Sequence, residues 1–362
     1  MKHFHKLAIA DIHRETPDSV CVRFDIPEEL TDEFRFVQGQ HLPVRADIDG
    51  ESVRRTYSVC SAVHENALRI GVRIQPEGRF SRYIANELKT GDRLEVMPPI
   101  GHFQTPLDAD NEKVYLAFAA GSGITPILSI IATTLRQEPK SRFLLFYGNR
   151  TQENTMFLED LYALKNVYTA RLSMHFLFSQ EAQEFEIFNG RLDHQKVCDL
   201  YQTIAAGLAP DEVYVCGPGD MIDTVTKALC DLGLDASRIH SEHFVVGTQD
   251  ADQPQEKKSV QQEHAGADDE TQVTVILDGH RKQFEMQMDD LTVLDAAREN
   301  GLELPYSCEG GVCSTCRAHM REGEVEMEVN FALEDWEVEQ GFILACQSRP
   351  LTKTLILDYD KT

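Results

Sequence analysis

Four of the nine cysteines fall into one tight pattern, and it limits the fold more than any other feature. Cys308, Cys313, Cys316 and Cys346 are separated by four, two and twenty-nine residues. Three thiolates so close in sequence can converge only if the backbone between them curls, and Gly310 and Gly311 permit that curl. A C-x4-C-x2-C run followed by a distant fourth cysteine is the ligand spacing of a [2Fe–2S] cluster. The glycines would also let backbone N–H groups approach the sulfurs, which tunes the reduction potential. Structural zinc is one alternative, but it usually brings two close C-x2-C pairs. Here there is one such pair, and the fourth cysteine stands alone. A set of inert buried thiols is the other alternative. The remaining cysteines, Cys21, Cys60, Cys198, Cys216 and Cys230, are scattered, and the odd total does not suit a disulfide framework.

At 362 residues the chain has room for two or three domains. Its net charge of −25 excludes non-specific nucleic-acid binding, which needs a Lys/Arg surface, and suits docking on a basic protein. The first fifteen residues carry no apolar core of a signal peptide, so a cytoplasmic protein is expected. Val114–Leu135 has no charge over 22 positions, the length of a membrane span. Gly121-Ser122-Gly123 and Pro126 interrupt it, so a strand, a glycine turn and a buried helix are expected instead.

Three blocks and a connector follow from the patterning. Residues 1–106 hold short β-type runs at 20–26, 41–48, 55–59 and 68–74, a turn at Asp49-Gly50 and one amphipathic helix after Gly78. That combination predicts a small antiparallel barrel. Residues 107–247 alternate strands (114–120, 142–148, 212–217) with helices (124–135, 153–164, 220–232), the rhythm of an α/β parallel sheet. Residues 248–270 contain no aromatic residue and only Val260 as a β-branched aliphatic, so a flexible linker is expected. The last block, 271–362, carries 8 Lys/Arg against 18 Asp/Glu. Strands at 272–277, 282–287, 317–327 and 354–359 are expected there, with a helix near 291–300. With the cysteine loop between them, residues 271–362 resemble a plant-type ferredoxin, which implies a β-grasp fold.

Two further groups of residues have chemistry suited to nucleotides. Arg55-Thr56-Tyr57-Ser58 offers a planar cation, an aromatic plate and a small hydroxyl on one strand. Gly78-Arg79-Phe80-Ser81 opens a helix whose first N–H groups suit a diphosphate. Together with Pro99–Phe103 they resemble the flavin domain of the ferredoxin–NADP reductase superfamily. That resemblance implies Arg55 on the flavin diphosphate, Tyr57 against the isoalloxazine and Ser58 by its reactive N5. Thr56, Val72 and Arg73 are further candidate contacts. FAD is favoured, although reductases of the phthalate dioxygenase type share this order and use FMN.

Gly121-Ser122-Gly123-Ile124-Thr125-Pro126 and Cys216-Gly217-Pro218 follow two strands of the second block. The resemblance implies that they clamp NAD(P)H, with Cys216 beside the nicotinamide; a tight packing turn and a buried small thiol are the plain alternatives. Asn149-Arg150 carries no acid to hold an NADH ribose, and Arg150 could meet the 2′-phosphate of NADPH. Ser179 is followed by Gln180 where NADPH-dependent relatives often have arginine, and Arg191 is a possible substitute. Phe244 would cover the flavin face or simply pack.

The whole order, with Tyr147–Thr151, Phe188–Asp193 and Ile343–Pro350, resembles the reductase components of oxygenases. Those of phenylacetyl-CoA epoxidase systems are included, and those of steroid and aromatic-ring hydroxylases are close to them. The resemblance implies a terminal oxygenase as partner, and FAD, a [2Fe–2S] cluster and NADPH (or NADH) as cofactors. A redox-sensing module in which the cluster alone signals is the reading from outside the enzymes.

Overall fold

A computed structural model describes residues 3–244, 270–288 and 291–361. They fall into two units, Phe4–Val246 and a second within Gly247–Thr362. The linker expected at 248–270 lies outside the described residues, apart from Glu270, which opens a strand.

The N-terminal half of the first unit is antiparallel β. It comprises β1 (His5–Thr16), β2 (Ser19–Asp25), β3 (His41–Ile48), β4 (Glu51–Ser58), β5 (Leu68–Arg73), α1 (Arg79–Asn86) and β6 (Arg93–Val96), in the order β4-β3-β6-β1-β2-β5. Asp49 and Gly50 both take positive φ, which fits a two-residue hairpin between β3 and β4 and sets the pairing of His41 with Ser58. The edges β4 and β5 are joined by a bridge from Val59 to Ile70 and by Cys60 N–H donating to Arg69 C=O at 2.9 Å, which closes the expected barrel. Leu7, Ile9, Val22, Leu42, Val44, Ile70 and Val96 fill it.

The second half alternates. Its elements are β7 (Val114–Ala120), α2 (Ile124–Gln137), β8 (Arg142–Asn149), α3 (Leu158–Val167), β9 (Leu172–Phe178), α4 (His194–Thr203), β10 (Glu212–Gly217), α5 (Gly219–Asp231) and β11 (Ile239–His243). All neighbours pair in parallel, in the order β11-β10-β7-β8-β9. Chain order reverses at β7, so the crevice at the strand ends lies between β7 and β10. The charge-free stretch resolves as expected into β7, a turn at Gly121–Gly123 and α2, buried throughout Ile124–Leu135. Among the described residues no helix is long and apolar enough to cross a membrane.

The second unit contains β12 (Glu270–Leu277), β13 (His280–Gln287), α6 (Val293–Glu299), β14 (Arg317–Glu322), β15 (Val325–Met327), α7 (Asp335–Glu339), β16 (Phe342–Leu344), β17 (Ser348–Pro350) and β18 (Thr354–Asp358). Five strands in the order β13-β12-β18-β14-β16 pack on α6, and β15 pairs with β17 apart from them. Thr292 caps α6 by accepting from Asp295 N–H. The strand expected over 317–327 is two strands, broken at Gly323, whose φ is +98°.

Candidate functional site

Barrel and parallel sheet meet where β4 and β11 end. Ser58 Oγ donates to Glu242 Oε2 at 2.9 Å, and His41 Nδ1 lies 3.4 Å from Glu242 Oε1. All three are more than nine-tenths buried. Cys216, paired in register with Glu242 across β10 and β11, is fully buried. Burial, then the neighbouring Glu242 charge, pushes its thiol well above the ordinary cysteine value. Cys216 therefore stays a neutral, small thiol. If a nicotinamide is oxidised beside it, that step is accordingly expected to show no ionisation from Cys216 between about pH 7 and 9. A stopped-flow pH series on the wild type and Cys216→Ala checks this, since a limb present only in the wild type would contradict it.

The glycine turn is built against that cysteine. A Cβ on Gly123 would stand 2.1 Å from the Cys216 carbonyl oxygen, so only glycine lets the ends of β7 and β10 approach this closely. Gly121 takes φ +54°, its carbonyl accepts from the Tyr147 hydroxyl at 2.9 Å, and Arg73 Nη2 lies beside it. Thr125 is turned inward, its hydroxyl donating to Ser122 C=O at 2.9 Å, and Pro126 is buried. Gly217 is buried at the end of β10, and Pro218 is exposed just beyond it.

On the flavin side, Arg55, Thr56 and Tyr57 are half-buried along β4 and Ser58 is buried. The Tyr57 ring lies 6.2 Å from that of Phe80, so the two expected flavin segments touch. No side chain caps the start of α1. Ser81 braces the loop before the helix, accepting from Gln75 N–H at 3.1 Å and donating to Gly78 C=O at 3.3 Å. Arg79 reaches back to Ile48 C=O at 3.1 Å. Val72 is wholly within the barrel core, which leaves only its backbone to face a ligand. Phe244 is partly buried against the core shared by barrel and sheet.

Further along the parallel sheet, Arg73 and Arg150 share Asp18, at 2.6 and 2.8 Å. Burial works to raise the Asp18 carboxyl, but Arg73 and neighbouring hydrogen bonds hold it below the usual range. The carboxamide of Asn149, nine-tenths buried, has neither polar atom in a well-formed hydrogen bond, although the Tyr147 hydroxyl feels its presence. A ribose or phosphate would satisfy such a group. Ser179 N–H donates to Asn149 C=O at 3.0 Å, and the bridge from Phe178 to Asn189 brings exposed Arg191 to the same strand end.

In the second unit the cysteine loop carries Glu309, Gly311 and Ser314 at positive φ. Cys313, Cys316 and Cys346 are buried and Cys308 is half-buried. The thiols meet two and two, Cys308 with Cys313 and Cys316 with Cys346. Hydrogen bonding within each pair pushes Cys313 and Cys346 down and their partners up. Among the described residues no three His, Cys, Asp or Glu side chains converge as ligands of a single ion do. Four soft sulfur ligands gathered two and two suit a two-iron cluster better than zinc. Donors are already aimed at the sulfurs. Gly310 N–H reaches Cys308 Sγ at 3.4 Å, Gln347 Nε2 reaches Cys346 Sγ at 3.6 Å, and Thr315 Oγ1 stands 3.1 Å from Cys313 Sγ.

Three family descriptions match the chain: an oxidoreductase FAD-binding domain over 6–105, an oxidoreductase NAD-binding domain over 118–227, and a 2Fe-2S iron-sulfur cluster binding domain over 275–351. The chain belongs to the reductases of oxygenase systems, which join these three domains in one polypeptide. It is an oxidoreductase that uses FAD, a [2Fe–2S] cluster and a nicotinamide nucleotide. It is 41% identical over 361 residues, 99% of each chain, to a subunit of 1,2-phenylacetyl-CoA epoxidase from Escherichia coli (strain K12). It is 34% identical to the ferredoxin reductase component of 3-ketosteroid-9-alpha-monooxygenase from Rhodococcus rhodochrous, covering 98% of this chain and 96% of that one. The solved structure of phthalate dioxygenase reductase, described as modular for electron transfer from pyridine nucleotides to [2Fe-2S], matches 98% of each chain at 26% identity and a TM-score of 0.57. The expected barrel, parallel sheet and C-terminal cluster domain are thereby established.

Sequence reasoning missed Glu242 and His41. Glu242 sits in β11, Ile-His-Ser-Glu-His, whose single aliphatic residue gives no strand signal. Its partners lie 184 and 201 residues away.

Proposed function

We propose that this chain supplies electrons to the oxygenase of a phenylacetyl-CoA epoxidase system, with NADPH as the preferred donor. Its domains would run 1–106, 107–247 and 271–362, joined by 248–270. The observation that carries the electron path is the meeting of Ser58, Glu242 and Cys216, which brings the flavin strand and the nicotinamide strand to one buried point. When bound, FAD takes two electrons from the nicotinamide, and the cluster relays them singly.

The chain's own residues do the rest. Gly121–Gly123 and Cys216–Pro218 hold the nucleotide between two strand ends, with Arg73 at the turn. Ser58, oriented by Glu242, presents a small hydroxyl beside the reacting face. Cys216, uncharged and compact, lets the nicotinamide lie close without introducing an anion. Glu242 and His41 fill the remaining space and exclude water. Arg55 and the open start of α1 take the flavin diphosphate, with Tyr57 as its aromatic wall. Cys308, Cys313, Cys316 and Cys346 hold the cluster.

Arg150, more than half exposed and shared with Asp18, supports the NADPH reading; Arg191, two residues beyond the Phe178–Asn189 bridge, is the second candidate. Arg150→Ala is expected to raise the KM for NADPH about tenfold or more, the worth of a charge-assisted hydrogen bond, and to leave that for NADH unchanged. Equal effects on both nucleotides would remove Arg150 from 2′-phosphate recognition. The partner is tested by NADPH oxidation with the epoxidase oxygenase, in the presence and absence of phenylacetyl-CoA. Stimulation by a 3-ketosteroid oxygenase alone would move the chain to the steroid systems.

A further inference from the structure

Asp18 lies in the turn between β1 and β2, and two arginines from different elements end on the same oxygen of its carboxylate. Arg73, on β5, donates through Nη1 to Asp18 Oδ2 at 2.6 Å. Arg150, just beyond β8, donates through Nη2 to that oxygen at 2.8 Å. The other oxygen accepts from Thr16 Oγ1 at 2.9 Å. One carboxylate between two guanidiniums leaves one positive charge over.

The two arginines are held differently. Arg73 is largely buried, and its Nη2 also donates to Asn154 C=O at 3.1 Å, so both arms of its guanidinium are engaged. Arg150 is fixed only through its backbone, whose C=O accepts from Gln180 N–H at 2.8 Å; its side chain is more than half exposed. An ion pair this open to water holds its partners loosely. A phosphate, by contrast, can accept two parallel hydrogen bonds from one guanidinium. Asn149, next to Arg150, buries a carboxamide with neither polar atom in a well-formed hydrogen bond, which is a second sign that this strand end takes a polar ligand.

We infer that Asp18 is a specificity-determining residue: its carboxylate occupies Arg150 in the free protein and yields it to the 2′-phosphate of NADPH, while Arg73 stays on Asp18 and balances its charge. This rests on the reading of Arg150 given above. The exchange leaves no uncompensated carboxylate, because Arg73 and Thr16 remain in place. NADH brings no 2′-phosphate, so with it Arg150 remains on Asp18. Asp18 therefore sets a cost that falls on the phosphorylated nucleotide alone.

The test uses the full-length protein loaded with flavin and cluster, and two redox-inert probes that differ only in the phosphate at issue, 2′,5′-ADP and 5′-AMP. Binding is measured by isothermal titration calorimetry. Asp18→Asn keeps an oxygen for Thr16 and Arg73 but gives up the charge that holds Arg150. It is expected to tighten 2′,5′-ADP about two- to fivefold, the worth of an exposed ion pair, and to leave 5′-AMP unchanged. In an Arg150→Ala background the same substitution should move neither probe. The ratio of the KM values for NADH and NADPH should rise with the 2′,5′-ADP affinity. Unchanged flavin absorption and melting temperature show that the joint between barrel and sheet is intact; Asp18→Ser repeats the test if Asp18→Asn loses its flavin. If Arg150→Ala weakens 2′,5′-ADP but Asp18→Asn leaves it unchanged or weakens it, Asp18 is a structural brace and the inference is overturned, with the Arg150 reading intact. Equal tightening of both probes would overturn it too, since removing a negative charge favours any anion. An Arg150→Ala protein that binds both probes as the wild type does would take down the Arg150 reading and the inference together.

Discussion

Cys346→Ala is expected to abolish delivery of electrons to the oxygenase, by at least about 100-fold, while NADPH still bleaches the flavin. Cys346 is buried, meets Cys316, and accepts a hydrogen bond from Gln347 at 3.6 Å. As a ligand it is irreplaceable by a methyl group, so the purified variant should lose iron and the broad visible absorption of the cluster together. If the thiol were only a small core hydrophobe, the same change would cost about 1–2 kcal/mol of stability and leave the spectrum intact. Cys230→Ala serves as the control, because Cys230 is exposed on α5 and far in sequence from the four-cysteine group. Its variant should keep its iron. Iron content, the visible spectrum and single-turnover flavin reduction, taken on one preparation of each variant, decide the matter.

The elements that were legible in the sequence are those whose local chemistry leaves one solution. β7 and β10 appear at the expected 114–120 and 212–217, because an unbroken apolar run ending in glycine has no other comfortable conformation in a parallel sheet. Asp49-Gly50 forms the expected turn for the same kind of reason, both residues tolerating positive φ. β1 and β6 went unseen. Twelve residues of β1 include one polar face and only Leu7, Ile9 and Thr16 deeply buried, a pattern too sparse to read without its neighbours. α3 begins at Leu158 rather than 153, because the preceding residues Thr151–Phe157 pack a loop whose Phe157 takes a left-handed conformation. The site divides in the same way. Cysteine spacing is local, so the four thiols that the second unit brings together could be picked out beforehand. The Ser58–Glu242–His41 cluster exists only after barrel and sheet have docked, and no window of sequence contains it. Arg150 shows the intermediate case: its position was readable, but its ion pair with Asp18, from the opposite half of the unit, was not.

Gly123→Ala should do more damage than any change at the exposed glycines, and the reason is geometric. The new methyl group would lie 2.1 Å from the Cys216 carbonyl oxygen, 2.4 Å from its carbonyl carbon and 2.8 Å from Gly217 nitrogen. Each of these is backbone, so no side-chain rotation relieves the contact. β10 is pinned on both sides, by β7 and β11, so the strand ends must part rather than slide. The expected cost is about 1–3 kcal/mol of stability, as for other overpacked cores. Separating the strand ends also moves Cys216 away from the glycine turn. A displacement of about 1 Å at a reacting centre costs about 100-fold in rate, so flavin reduction by NADPH should fall by that order. Gly219→Ala supplies the contrast: a Cβ there meets nothing within 4 Å, and both its melting temperature and its flavin reduction rate should match the wild type. The discriminating measurement is stopped-flow flavin bleaching at saturating NADPH, with photoreduction of the same sample showing that its flavin is bound. A Gly123→Ala protein that bleaches at the wild-type rate would mean that the ends of β7 and β10 are not the nicotinamide clamp.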